Sequence, residues 1–161
     1  ADKIKDLKKK NFFDLVTNFD VLEHIKKDQE YLDKINDVLK PNGYILITVP
    51  AYQFIWTKLD EVLGHHRRYN KKKINKLLEG AGYKIIKSSY FFMFLSPIFI
   101  TIRLLQKYSN NSGSLKKSVI HVPKILNNFF IFLLKIESLL LRLINLPFGT
   151  SIIVLAKKND S

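Results

Sequence analysis

Asp20, Glu23 and His24 follow directly on a β-rich run, Phe13–Asn18, within the block FDLVTNFDVLEHI at Phe13–Ile25. If the chain turns helical after Asn18, Asp20 and Glu23 lie at i and i+3 and His24 at i+4, so two carboxylates and an imidazole face one pocket. That pocket would lie at the carboxyl end of a buried strand, where open α/β sheets bind their ligands. Such a trio suits proton transfer or cation binding. The same spacing also fits a helical turn capped by Asp20, with Glu23 and His24 solvated. A second cluster, GHHRRY at Gly64–Tyr69, gathers His65, Arg67 and Arg68. Arginine presents a planar fork to phosphate or carboxylate, and the plainer alternative is an exposed basic helix entry.

The elements that must position these groups alternate strand and helix. After Asp28, which can cap, Tyr31, Leu32, Ile35, Val38 and Leu39 recur with helical spacing, and Pro41, Asn42 and Gly43 stop the helix. Tyr44–Val49 carries no charge and predicts a strand buried on both faces of a parallel sheet. Strand, helix and strand within about forty residues make a βαβ unit. Residues 51–69 predict a polar and aromatic loop, Asn70 caps a helix that Gly80 and Gly82 end, and Tyr83–Tyr90 is a third strand. Phe91–Ile102 lacks charge but is shorter than the roughly 20 apolar residues that span a bilayer. Asn110–Ser114 is a flexible turn. Lys124–Asn145 predicts an apolar helix with a narrow polar stripe through Lys124, Asn128, Lys135, Ser138, Arg142 and Asn145. Glu137 falls on its apolar side and calls for a cationic partner such as Arg103. Pro147–Thr150 turn into a last strand, Ser151–Ala156.

A chain of 161 residues supports one core. The absence of cysteine excludes disulfides and thiolate metal sites, and fits a cytoplasmic setting. Lys and Arg outnumber Asp and Glu by 27 to 14, a net charge of +13 that favours anionic partners. The basic residues form short scattered runs rather than a stripe interleaved with aromatics, which disfavours nucleic acid. No signal peptide is evident. The first residue is Ala and the first strand begins near residue 12, so a piece of a longer chain is expected.

FDLVTNFDVLEHI, LKPNGYILITVPA, GHHRRY, the AGY turn and PFGTSIIVLAKK, in this order, resemble the carboxyl-terminal half of a class I S-adenosylmethionine-dependent methyltransferase. The resemblance covers residues 12–90 and 147–158. It implies an α/β Rossmann-like sheet supplying strands four to seven of that family. The last strand would run antiparallel between the second and third strands of this chain. Residues 91–147 would be an apolar helical insert in a single partial domain, 1–161. The glycine-rich turn after the family's first strand and the acidic residue after its second are not present. The amino-terminal half of the fold is therefore missing, and this chain alone should bind S-adenosylmethionine weakly and be inactive.

By the same resemblance Asp2, Asn18, Phe19 and Asp20 are cofactor-binding candidates. Tyr52, Trp56, His65, Arg67, Arg68 and Tyr69 are candidates for the acceptor, with the aromatics stacking on a ring and Gly64–Tyr69 similar to a loop that closes over it. Transfer to a hydroxyl needs a base, and His24 and His65 are the candidates because an imidazole titrates near about pH 6.5. Asp20, Glu23 and His24 are also similar to the triplet with which ubiquinone-pathway O-methyltransferases are thought to hold magnesium. Asp20 stands where those enzymes carry Glu, one methylene short, so no metal is the leading expectation and magnesium the lesser one. The leading function is methyl transfer to a hydroxyl of a lipid-linked or isoprenoid acceptor at a membrane surface. There Tyr90–Tyr108 and Lys124–Asn145 would pack as an apolar pair lying peripherally on the bilayer. A non-catalytic membrane-associating module or half of a split enzyme is the alternative, and a nucleic-acid methyltransferase the third.

Overall fold

The computed structural model describes residues 10–108 and 123–159. The elements in chain order are β1 (Phe13–Phe19), α1 (Asp28–Val38), β2 (Leu39–Pro50), α2 (Lys58–Val62), α3 (Lys71–Gly80), β3 (Tyr83–Phe91), α4 (Ser96–Tyr108), α5 (Lys124–Leu143) and β4 (Ser151–Lys158). Single 3-10 turns occur at Leu22–His24 and Gln53–Ile55. The four strands form one sheet in the order β1-β2-β4-β3. β1 and β2 pair in parallel, and β4 runs antiparallel to both β2 and β3, as the expected topology requires. This is a mixed α/β fold whose sheet has one parallel and two antiparallel pairings.

Helical periodicity explains the core. Leu32, Ile35 and Val38 of α1 and Ile74 and Leu78 of α3 fall on the sides that meet the sheet, where Ile45, Ile47, Val49, Ile152, Val154 and Ala156 are buried. Each such side chain contributes about 1.5–3 kcal/mol on leaving water. Asn70 caps α3 as expected, its Oδ1 accepting from Lys73 N at 2.8 Å.

Several expectations are corrected. β1 is paired on one side only among the described residues, and Leu15 and Phe19 are half exposed, so it is not a buried strand. β2 is sealed on the face covered by α1 and α3, whereas Tyr44 is 41% exposed and Leu46 half-buried on the other. There α5 meets β3 and leaves a groove of about 500 Å³ over Leu46, Ile153 and Leu155. Asp28 is the first residue of α1 rather than its cap, which is Lys27 and makes no side-chain capping bond. Pro41, Asn42 and Gly43 lie inside β2, which starts directly after α1. The pairing jumps from Phe13↔Leu39 to Leu15↔Tyr44, so this turn bulges out of the ladder. A Cβ on Gly43 would meet Lys40 O at 2.8 Å, which only glycine avoids. Tyr90 and Phe91 belong to β3, so the apolar helix begins at Ser96.

Among the described residues the main contacts of the two apolar helices are with other elements. α4 rests on the Gln53–Ile55 turn and α5 on β3. Glu137 is buried as expected but takes no arginine. It accepts the backbone N–H groups of Phe92 at 2.5 Å and Phe94 at 3.2 Å, which satisfies a chain leaving its strand. Arg103 turns instead to Thr57 and Asp60. The anticipated turn at Asn110–Ser114 lies outside the described residues.

Candidate active site

The carboxyl ends of β1 and β2 open into a cavity of about 390 Å³. Asp20, Glu23, His24, His65, Arg68 and Arg103 line it with polar groups, and Ile55, Phe92, Leu95 and Phe99 give it an apolar side. Asp20, Glu23 and His24 do therefore reach one cavity, although only Leu22–His24 is helical, as a single 3-10 turn.

Asp20 leaves β1 in the left-handed region at φ 50, which turns its side chain back on the sheet. Thr48 Oγ1 donates to Asp20 Oδ1 at 3.1 Å, and Asp20 N donates to Thr48 O, also at 3.1 Å. Among the described residues the metal-competent cluster is instead Glu23, His24 and His65, with one donor atom of each within 4.8 Å of the others. The Asp20, Glu23, His24 triplet does not converge in this way, and the correction follows from the reversed backbone at Asp20.

His65 is placed by α2, a helix within the segment 51–69 expected to be loop. Thr57 and Asp60 form a capping box at its start, with Thr57 N donating to Asp60 Oδ2 at 3.0 Å. Asp60 is fully buried. Its Oδ1 accepts from Arg68 Nε at 2.9 Å, from the Arg68 terminal nitrogen at 2.6 Å and from His65 Nδ1 at 3.1 Å; Arg103 lies 3.3 Å from Oδ2. Burial alone would raise the Asp60 carboxyl, but the Arg68 hydrogen bonds, the Thr57 amide and the two arginine charges together hold it below the usual carboxylate range. Burial lowers His65, against the pull of Asp60 and with the help of His24.

Both imidazoles have their tautomer fixed. Asp60 is ionised and only accepts, so His65 Nδ1 carries the proton; His24 Nδ1 lies 3.2 Å from the carbonyl of Gly64, which also only accepts. Gly64 allows this approach at φ +75. Each ring is left with Nε2 as its lone-pair nitrogen, and the rings meet edge to face at 4.7 Å. Glu23 is buried, and its Oε2 has no hydrogen-bond partner. Burial, supported by Asp20 and opposed by its own backbone amide, His24 and Arg68, pushes the Glu23 carboxyl up to about 7.

The other predicted residues divide. Arg67 reaches Asp28 at 2.5 Å and the Lys26 carbonyl at 2.7 Å, and the buried Tyr69 hydroxyl reaches Asp28 at 3.1 Å, so both staple the loop to the start of α1 and neither lines the cavity. Arg68 lines it but is committed to Asp60 and to Ala51 O at 3.1 Å. Tyr52 stacks on Tyr90 at 5.3 Å and Trp56 Nε1 donates to Glu61 at 3.3 Å. Asn18 is buried and donates to Tyr31 at 2.8 Å while its Oδ1 lacks a partner; Phe19 is exposed at the strand end. Asp2 lies outside the described residues. Asp60 and Arg103 were missed as site residues, although the T-x-x-D capping box at Thr57 was legible.

Residues 1–88 match a family described as "Methyltransferase domain". A probable S-adenosylmethionine-dependent methyltransferase of Mycolicibacterium smegmatis is 31% identical over 74 residues, which make 45% of this chain and 29% of that relative. The chain superposes on the crystal structure of the [4+2]-cyclase SpnF with a TM-score of 0.55 at 14% identity, covering 100% of this chain and 56% of the cyclase. It superposes on the Haemonchus contortus phosphoethanolamine N-methyltransferase 2 complex with S-adenosyl-L-methionine with a TM-score of 0.51 at 18% identity, covering 94% of this chain and 34% of the enzyme. At such identities these likenesses establish the fold alone. The chain spans 29%, 56% and 34% of the length of these three proteins.

Proposed function

The chain belongs to the methyltransferase domain family, and from that premise we propose that it carries the acceptor-side half of an S-adenosylmethionine-dependent methyltransferase directed at a hydroxyl. The observation that carries this reading is the cavity itself, where two tautomer-fixed imidazoles and a buried carboxyl face an apolar wall. Asn18, Phe19 and Asp20 would hold the cofactor at the carboxyl end of β1. The unpartnered Oδ1 of Asn18 fits such a ligand, because a buried acceptor gains from a donor brought to it. The cofactor supplies an electrophilic methyl group on a sulfonium.

With a hydroxyl acceptor beside the cofactor's methyl group, the Glu23, His24 and His65 cluster would take up the hydroxyl proton. Holding hydroxyl and methyl group in line supplies much of the acceleration in a displacement. The apolar side built by Phe92, Leu95 and Phe99 suits a lipid-linked or isoprenoid acceptor. α4 exposes Ile98, Phe99, Ile102 and Leu105, and α5 exposes Ile125, Phe129, Phe132, Leu139 and Leu143, on a chain of net charge +13. Among the described residues no helix is long and apolar enough to cross a membrane. Surplus apolar surface rimmed by basic residues favours peripheral contact with an anionic leaflet.

The test incubates this chain, supplied with the amino-terminal half of the fold, with methyl-tritiated S-adenosylmethionine and a membrane lipid extract. Organic-extractable tritium, and flotation with anionic vesicles, are the expected results. Tritium confined to water-soluble products would overturn the lipid acceptor, and recovery unchanged by vesicles would remove the membrane.

A further inference from the structure

We propose that Glu23, His24 and His65 form a binding site for one divalent first-row transition-metal ion. The catalytic consequence rests on the reading above with one change, because an acceptor hydroxyl bound to the ion would lose its proton to solvent while the three side chains hold the ion; the binding itself does not rest on it. The donors are two imidazole nitrogens and one carboxylate oxygen within 4.8 Å of one another. Nitrogen donors favour Zn²⁺, Co²⁺, Fe²⁺ or Mn²⁺ over Mg²⁺, which prefers oxygen alone. Around a tetrahedral ion with bonds of about 2.0 Å the donors stand about 3.3 Å apart, so side-chain rotation must close the widest pair.

Two further features go beyond proximity. The Oε2 of Glu23 is a buried acceptor without a partner on a residue only 1% exposed, in the cavity wall beside both rings. Each histidine also already has the outer support that orients metal ligands: Nδ1 of His65 donates to the Asp60 carboxylate and Nδ1 of His24 to the Gly64 carbonyl. Both lone pairs are thereby placed on Nε2. Arg68 and Arg103 add positive charge nearby, but both are drawn to Asp60, and Glu23 brings a compensating charge as it binds.

Co²⁺ is the probe, titrated into tag-free protein freed of metal with EDTA and followed by visible absorption. One equivalent should develop d–d bands that Zn²⁺ abolishes. Glu23→Gln, which keeps the side-chain volume, and His24→Gln, on an exposed ring, should each weaken Co²⁺ binding about tenfold or more, whereas His66→Gln should not. Absence of bands, or equal affinity in the first two variants, would overturn the site. Methyl transfer insensitive to EDTA alongside absent bands would defeat this inference and leave the proposed function standing. Stoichiometric bands without methyl transfer, when the amino-terminal half of the fold is supplied, would do the reverse.

Discussion

Replacing Asp60 with Asn should cost this protein much of its stability. The carboxylate is fully buried, receives two hydrogen bonds from Arg68 and one from His65, faces Arg103 and closes the cap of α2. Asn keeps the shape but loses the charge, leaving a buried guanidinium without its counter-ion. Breaking a buried pair from one side costs about 3–5 kcal/mol, and a damaged cap adds about 1 kcal/mol. Against a total of roughly 5–15 kcal/mol for a domain, the variant should be marginal. With a urea slope of about 2 kcal/mol per molar, the denaturation midpoint followed by circular dichroism should fall by roughly 2 M. The companion Asp60→Asn/Arg68→Met should recover part of this loss, because it removes the orphaned charge as well. The acid limb has a definite sign: the folded-state pKa is depressed, so the contribution is present above the unfolded value of about 4 and is lost as pH falls through the lower folded value. A midpoint shift below about 0.5 M for Asp60→Asn would refute the assignment of this carboxylate as the anchor of the site.

Other consequences are open to measurement. Glu137→Ala should lower stability by about 2–4 kcal/mol by leaving the amides of Phe92 and Phe94 without an acceptor, and Glu137→Gln by less; thermal unfolding ranks them. Glu23 has a raised folded-state pKa, so in EDTA its contribution is full below its unfolded value and is lost as pH rises toward 7. Glu23→Gln should therefore match the wild type near pH 4 and exceed it at pH 8, by on the order of 3 kcal/mol in urea denaturation. Calorimetry with S-adenosylmethionine should give no saturable heat at micromolar concentrations for this chain alone, and clear saturation when the amino-terminal half of the fold is supplied.

The periodic elements were legible because their patterns are local. Leu32, Ile35 and Val38 mark α1, Ile74 and Leu78 mark α3, and the alternation of Ile152, Val154 and Ala156 marks β4. The site was half legible. Glu23 and His24 stand where the strand-end argument puts them, but the turn at Asp20 depends on a left-handed backbone that an Asp does not announce. The union of Asp60 with His65, Arg68 and Arg103 joins residues up to 43 positions apart, and no periodicity encodes such a pairing. Arg67 and Tyr69 looked like ligand-binding groups because a basic loop carries the same letters whether it grips a substrate or its own scaffold. The half-exposed β1 and β2 were misjudged because burial depends on what covers a sheet as well as on the apolar run within it.

The position of β4 has a consequence for synthesis. Ser151–Lys158 is made after the other three described strands, yet it lies between β2 and β3, which do not pair with each other. Until it leaves the ribosome both neighbours keep an open edge, and the apolar α4 and α5 segments have already emerged. The nascent chain therefore exposes open strand edges together with the apolar helices until β4 joins β2 and β3 in one step. Chaperone engagement should concentrate in that interval, and a chain released before residue 151 would leave β2 paired only with β1 and β3 without a partner strand, rather than make a smaller version of the fold.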